Sequence, residues 1–91
     1  MQNFNDNQWV VYILECSDKT FYCGITNNID KRFITHNEGK GAKYTKTRRP
    51  VKLIYLEKQE NKSLAAKREY QIKKLTRKQK EELIQLPNIN I

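Results

Sequence analysis

The sequence predicts an α+β fold, a small three-stranded antiparallel sheet in the order β-β-α-β-α-α flanked by helices, and three observations predict it. Trp9–Leu14 (WVVYIL), Phe21–Ile25 (FYCGI) and Val51–Leu56 (VKLIYL) are short blocks rich in β-branched and aromatic residues, the composition of strands. The first two blocks are joined by a short turn at Ser17–Thr20, so they form an antiparallel hairpin. The remaining apolar residues recur at helical rather than strand spacing, behind residues suited to cap helices.

Taken in order, residues 1–8 are polar and are expected to fray. After the hairpin, Thr26, Asn27 and Asn28 offer caps for a first helix, Asp30 sits where the helix dipole favours an acid, and Ile29, Phe33 and His36 recur along one side. That helix stops near Gly39. The segment Asn37–Pro50 carries two glycines, the basic residues Lys40, Lys43, Lys46, Arg48 and Arg49, and a terminal proline, and reads as a basic loop. Behind the third strand, Ser63 is positioned to cap a second helix whose apolar stripe is Leu64, Ala65, Ile72 and Leu75. Thr76 restarts a shorter helix with Leu83 and Leu86, which Pro87 ends. The folded domain is expected over residues 9–86, with a short tail at 87–91. A chain of 91 residues suffices for one domain with a thin core.

Hairpin geometry decides whether the tyrosines of the two strands can cooperate. Side chains alternate with period two, so the loop length sets the faces. A three-residue loop, Ser17–Lys19, pairs Cys16 with Thr20 and Tyr12 with Gly24, leaves Tyr22 diagonal to Tyr12 on the same face, and makes room above Gly24. A two-residue loop puts the tyrosines on opposite faces.

Charge narrows the partner. The formal net charge is +8, yet residues 31–80 hold 17 of the 18 Lys and Arg against four acids, a local excess of +13, and the remainder of the chain is negative. Such a field points to a polyanion, because each phosphate contact releases condensed counterions. Nucleic acid is the expected partner. A membrane is not, since no apolar run approaches the roughly 18 residues of a span and the start MQNFNDNQ has no signal-peptide character; a cytoplasmic protein is expected. The two cysteines, Cys16 and Cys23, fall within or beside the predicted hairpin strands with a single histidine elsewhere, a pattern that suits packing and not zinc.

Several residues sit in the places catalysis would need. Arg32 and His36 are i and i+4 on the first helix, hence on one side. Glu69 lies between Ala65 and Ile72 in helical register, bordering the apolar stripe, where a carboxylate requires a partner or a metal. Arg68 or Arg32 could be that partner in a purely structural pair.

In order and spacing these residues resemble the GIY-YIG nuclease domain family, and in particular its small stand-alone bacterial branch. Val10-Val11-Tyr12 corresponds to the first signature and keeps its tyrosine; Tyr22-Cys23-Gly24 corresponds to the second and keeps Tyr and Gly. Arg32 falls ten residues after Tyr22, His36 follows one turn later, and Glu69 matches the family's metal-binding glutamate. Gly39-Lys40-Gly41-Ala42-Lys43 resembles the loop of the small bacterial members. Ile25 stands where some members have a lysine, so a mechanism using that lysine is closed to this chain.

The resemblance implies a nucleic-acid-binding, divalent-metal-dependent phosphodiesterase of the endonuclease type, with DNA, structured or damaged, as the expected substrate. It implies Tyr12 as the base toward water, Tyr22 as a hydrogen-bonding group at the scissile phosphate, Arg32 as the phosphate-binding fork, His36 as a proton relay, and Glu69 as the anchor for Mg²⁺ or Mn²⁺. Lys40, Lys43, Tyr44, Lys46, Arg48 and Arg49 are the candidate nucleic-acid-binding residues, with Tyr44 offered as a ring for a base. No small-molecule cofactor is required, and a monomer is expected. The alternative is a non-catalytic nucleic-acid-binding module that keeps the fold while its site is idle.

Overall fold

A computed structural model describes residues 7–86. The start that the sequence leads one to expect to fray, apart from Asn7 and Gln8, and the tail at 87–91, including Pro87, lie outside the described residues. The elements are β1 (Trp9–Glu15), β2 (Phe21–Thr26), α1 (Ile29–Asn37), α2 (Lys43–Lys46), β3 (Lys52–Gln59), α3 (Lys62–Lys73) and α4 (Arg77–Gln85). The sheet is antiparallel in the order β2-β1-β3, so β1 is central and β2 forms one edge.

The hairpin takes the three-residue loop. Cys16 N–H donates to Thr20 O at 2.8 Å, Lys19 adopts φ 72°, and the Asp18 carboxylate accepts from the Thr20 N–H and hydroxyl. Tyr12 therefore lies opposite Gly24.

Alternation along β1 splits the core into two layers. Val10, Tyr12 and Leu14 point to one side with Ile29, Leu56 and the partly buried Tyr22 and Phe33; this is the α1 side. Val11 and Ile13 point to the other with Cys23, Ala65 and Ile72, covered by α3 and α4. A bulge in β3 serves both layers: Ile13 pairs with Tyr55 but Leu14 with Leu53, so Ile54 is an extra residue. Leu53 and Leu56 thereby face α1, while Ile54 and Tyr55 face α3. Strict alternation could not seat that block.

Helix α1 starts on Asn28, whose side chain accepts from Lys31 N–H. It ends as a Schellman motif: Lys40 N–H reaches Thr35 O, Gly39 N–H reaches His36 O, and Gly39 takes φ 81°, a backbone setting that suits glycine. The Asn37 side chain accepts from Val51 N–H at 2.8 Å, tying the helix end to the approach to β3.

Two local expectations are corrected. The segment after Gly39 is not wholly loop, since Lys43–Lys46 forms the one-turn helix α2, anchored by the buried Thr45. The cap of α3 is Asn61 and not Ser63; its carboxamide oxygen accepts from Leu64 N–H at 2.9 Å, so the helix begins earlier and Leu64 is left exposed. The start at Thr76 stands as expected, with a reciprocal capping box to Gln79. Among the described residues no helix is long and apolar enough to cross a membrane.

Candidate active site

Strand pairing and one helix face assemble the centre of the site. Tyr12 rises from β1 and Tyr22 from β2 on the α1 side, with ring centroids 6.5 Å apart. His36 comes down from α1 between them, its ring centroid 5.9 Å from Tyr12 and 5.3 Å from Tyr22. The Tyr12 hydroxyl and His36 Nε2 are 2.9 Å apart in a hydrogen bond that is sealed from solvent, the two residues being 1 % and 0 % exposed. Arg32, one turn earlier on α1, lies close enough for its positive charge to act on the Tyr12 hydroxyl. The structure thus brings together Tyr12, Tyr22, Arg32 and His36.

Close approach needs glycine at two positions. A Cβ on Gly24 would lie 2.5 Å from the Tyr12 hydroxyl oxygen and 2.7 Å from its ring carbon. On Gly41 it would collide with the His36 imidazole, which packs against that backbone. Because Tyr12 is buried and held by His36, its ring cannot give way. Gly24→Ala is therefore expected to destabilise the fold by about 2 kcal/mol, as overpacked cores do; the shift of the urea midpoint against wild type measures it, and an unchanged midpoint would mean that Tyr12 has somewhere to move.

Burial and one cation set the electrostatics. Burial pushes the Tyr12 phenol up to about 12, opposed by Arg32. Burial, and then the Arg32 charge, push the His36 imidazole down to about 4, so it is neutral at pH 7.

Glu69 stands apart from this cluster. It lies toward Cys23, on the α3 side of β2, and pairs with Lys73 at 3.2 Å, an i,i+4 contact. Its ion-pair partner is thus Lys73, and not Arg68 or Arg32. Arg68 instead makes a two-pronged contact with Glu57, at 2.7 and 3.3 Å, that ties α3 to β3. A cleft of about 270 Å³ connects the two sides, lined by Phe21, Tyr22, Cys23, Tyr44, Lys73 and Lys80. Tyr22 therefore looks onto the cleft from the α1 side with Tyr12 buried behind it, and Lys73, the ion-pair partner of Glu69, lines its α3 side.

The basic segment divides into engaged and free residues. Tyr44 stacks on Tyr22, with centroids 6.1 Å apart and planes 22° apart, and the Arg48 guanidinium sits 3.9 Å from its ring centre. Its ring is thus braced by protein groups while 38 % of the residue stays exposed. Arg48 also bonds Asp18 at 3.0 Å and Tyr44 O at 2.9 Å, clamping α2 to the hairpin loop. Arg49 donates to Lys46 O and Asn37 O. Lys40, Lys43 and Lys46 project outward. Thr45, which the sequence reading passed over, is fully buried with its hydroxyl 2.9 Å from His36 Nδ1. Its only signal was its place two residues beyond the Gly39–Lys43 stretch that carries the family likeness.

A GIY-YIG catalytic domain model matches residues 8–82. The chain belongs to the GIY-YIG family. Its relatives include a UPF0213 protein of Clostridium perfringens, 58 % identical over 79 residues that cover 87 % of this chain and 85 % of that one. A UPF0213 protein of Syntrophus aciditrophicus is 63 % identical over 75 residues, covering 81 % and 86 %. Among solved structures, the solution NMR structure of a protein from E. faecalis matches with a TM-score of 0.61 at 46 % identity, covering 92 % of this chain and 88 % of that one. The solution NMR structure of a UPF0213 protein from Bacillus halodurans matches with a TM-score of 0.59 at 41 % identity, covering 91 % and 88 %. GIY-YIG membership carries the α+β sheet-and-helix fold and places the chain in a nuclease family.

The donor set itself limits the kind of metal ion that would fit. Among the described residues no three His, Cys, Asp or Glu gather as a cage. A lone carboxylate such as Glu69 fits a hard cation that keeps most of its water, as Mg²⁺ does, and not a tetrahedral N/S site.

Proposed function

We propose that this chain is a divalent-cation-dependent phosphodiesterase that cleaves nucleic acid, with DNA the favoured substrate. The observation that carries the reading is the buried Tyr12–His36 hydrogen bond beside the Arg32 guanidinium. A solvent-excluded phenol joined to a neutral imidazole is a path for a proton; a surface that only binds phosphate has no need of one.

The path works as follows. In the substrate complex, which has to open the buried Tyr12 oxygen to the attacking water, that water attacks phosphorus and gives its proton to the Tyr12 oxygen while the phenolic proton passes to His36 Nε2. The bond from phosphorus to the 3′ oxygen breaks, that oxygen takes a proton from solvent, and the phenol never exists as a free phenolate near its own unfavourable pKa. In the resting protein the Arg32 charge helps to hold His36 neutral. A substrate phosphate paired with Arg32 cancels that charge, and the imidazole becomes able to accept the proton only once substrate is in place. Arg32 provides fork geometry toward two phosphate oxygens, which lysine lacks. Tyr22, half-buried at the cleft, donates its hydroxyl to the scissile phosphate. Glu69 would hold Mg²⁺ or Mn²⁺, which when bound supplies charge neutralisation at the phosphate and the departing 3′ oxygen. Lys40, Lys43 and Lys46, with Lys73 and Lys80 along the cleft, make the phosphate track; Arg48 and Arg49 hold its shape and add charge, and Tyr44 braces it against Tyr22.

The test is a cleavage assay over single-stranded, duplex and branched DNA and RNA, with Mg²⁺ and with chelator, on wild type and Arg32→Lys. Wild type is expected to cut in the metal-dependent arm only. Arg32→Lys should lower kcat on the order of 100-fold while Kd changes by less than about threefold, because charge is kept and the fork lost. Binding without cleavage of any substrate would instead favour the idle-module alternative.

A further inference from the structure

His36 is useful to the proposed relay only as one of its two neutral tautomers. If Nε2 carries the proton, it cannot accept one from Tyr12. The hydrogen bonds around the ring decide which tautomer is present, and they run out to Thr45 in α2.

The Thr45 hydroxyl lies 2.9 Å from His36 Nδ1 and 3.1 Å from Ala42 O. A hydroxyl has one proton to give and lone pairs to accept with. Two arrangements of protons can be drawn along the chain Ala42 O, Thr45, His36, Tyr12. In the first, Thr45 donates to Ala42 O and accepts from His36 Nδ1–H, which leaves Nε2 bare to accept from the Tyr12 hydroxyl. Every proton then has an acceptor. In the second, Thr45 donates to Nδ1, and Nε2–H donates to the Tyr12 oxygen. The Tyr12 proton is then stranded, because Tyr12 is buried, its bond is to Nε2, its neighbour Arg32 can only donate, and Tyr22, with its ring centroid 6.5 Å away, makes no hydrogen bond to it. A buried donor without an acceptor costs about 1–3 kcal/mol, which selects the first arrangement.

We infer that Thr45 is a positioning residue that holds His36 as the Nδ1–H tautomer and so leaves Nε2 free to take the Tyr12 proton. The role rests on the relay proposed above. Its placement rests on geometry alone. Helix α2 exists to seat one buried hydroxyl: the Schellman turn at Gly39 redirects the chain, Gly41 lets the backbone pass against the imidazole, and Arg48 pins the far end to Asp18. The groups that face His36 are Arg32 from α1, Tyr12 from β1 and Tyr22 from β2, and none of them bonds Nδ1.

Because the chain contains a single histidine, the experiment has one unambiguous probe. Long-range ¹H–¹⁵N correlation on the uniformly labelled full chain at neutral pH should give a pyrrole-type Nδ1 and a pyridine-type Nε2. In Thr45→Val, which keeps the shape and loses the hydroxyl, the ring should shift toward the Nε2–H form, and kcat should fall about 10- to 100-fold with KM within about twofold, the usual scale for a lost orienting partner. Thr45→Ser should restore both the spectrum and turnover. A pyridine-type Nδ1 in wild type would overturn the inference, as would a Val variant with wild-type tautomer and turnover. The spectrum does not depend on cleavage: if no substrate is cut, the nuclease reading fails by itself, and even if the Val variant does not fold, a pyridine-type Nδ1 in the wild-type spectrum still overturns the inference.

Discussion

Replacing Glu69 by Gln is expected to lower Mg²⁺-dependent cleavage by about a thousandfold or more, the scale at which a preorganised charge at the transition state acts. Nucleic-acid affinity should stay within about twofold, because the change removes a metal anchor and at the same time an acid that repels phosphate. The fold should hardly notice. Glu69 pairs with Lys73 at 3.2 Å across one helical turn, with the lysine half in solvent, and such pairs are worth about 0.3–0.5 kcal/mol. Lost cleavage with an unmoved unfolding midpoint is therefore chemical and not structural. Lys73 sharpens the prediction: its ammonium occupies the carboxylate that the cation needs, so Lys73→Ala should lower the Mg²⁺ concentration at half-maximal rate even while it weakens binding to the substrate backbone. If Glu69→Gln cleaves at the wild-type rate across a Mg²⁺ titration, the carboxylate holds no metal and the proposed chemistry is wrong.

What the sequence disclosed and what it concealed follow from the range of the interactions. The hairpin register was legible because Ser17–Lys19 fixes the parity of two strands that are neighbours in the chain, and from it came the pairing of Tyr12 with Gly24 and the shared face of the two tyrosines. The Arg32 and His36 geometry was legible for the same reason, since i and i+4 are one helical turn. Interactions between distant segments were not. That Arg68 reaches Glu57, leaving Glu69 to Lys73, depends on how α3 lies across the sheet, which no local spacing encodes. The bulge at Ile54 was hidden because Val51–Leu56 is apolar on both faces and so shows no break in alternation. Thr45 was hidden more completely. A threonine flanked by Lys43, Tyr44 and Lys46 has the composition of a solvated loop, and its burial is a consequence of Arg48 being drawn to Asp18 and of Gly41 admitting the imidazole. The same contacts engage Tyr44, which composition alone offered as a free ring.

Acid should unfold this protein through His36 before its carboxylates matter. The ordinary imidazole value is 6.5, and burial with the Arg32 charge brings it down to about 4 in the folded chain. Between those values the unfolded chain binds a proton that the folded chain refuses, and stability rises with pH wherever the unfolded state binds more protons. Stability is therefore intact above about pH 6.5, falls as the pH drops through the window to about 4, and below that has no further contribution from this group. Each unit is worth about 1.4 kcal/mol, so the whole window costs about 3 kcal/mol, a large share of the roughly 5–10 kcal/mol that holds a domain of this size. The Asp18 carboxylate, held below its usual range by its bonds to Thr20 and then Arg48, begins to lose its contribution only below the ordinary carboxylate value of 3.8. The two effects occupy separate windows. Urea midpoints of wild type should fall steadily from pH 6.5 to 4, whereas His36→Gln, whose amide can bridge Tyr12 and Thr45 without titrating, should start lower and stay nearly flat across the same range. The imidazole proton shifts of the single histidine should titrate with a midpoint near 4 in parallel. Parallel midpoint curves for wild type and variant, or an imidazole midpoint near 6.5, would mean that the ring is not sealed beneath Arg32, and with that the buried path from Tyr12 would be lost as well.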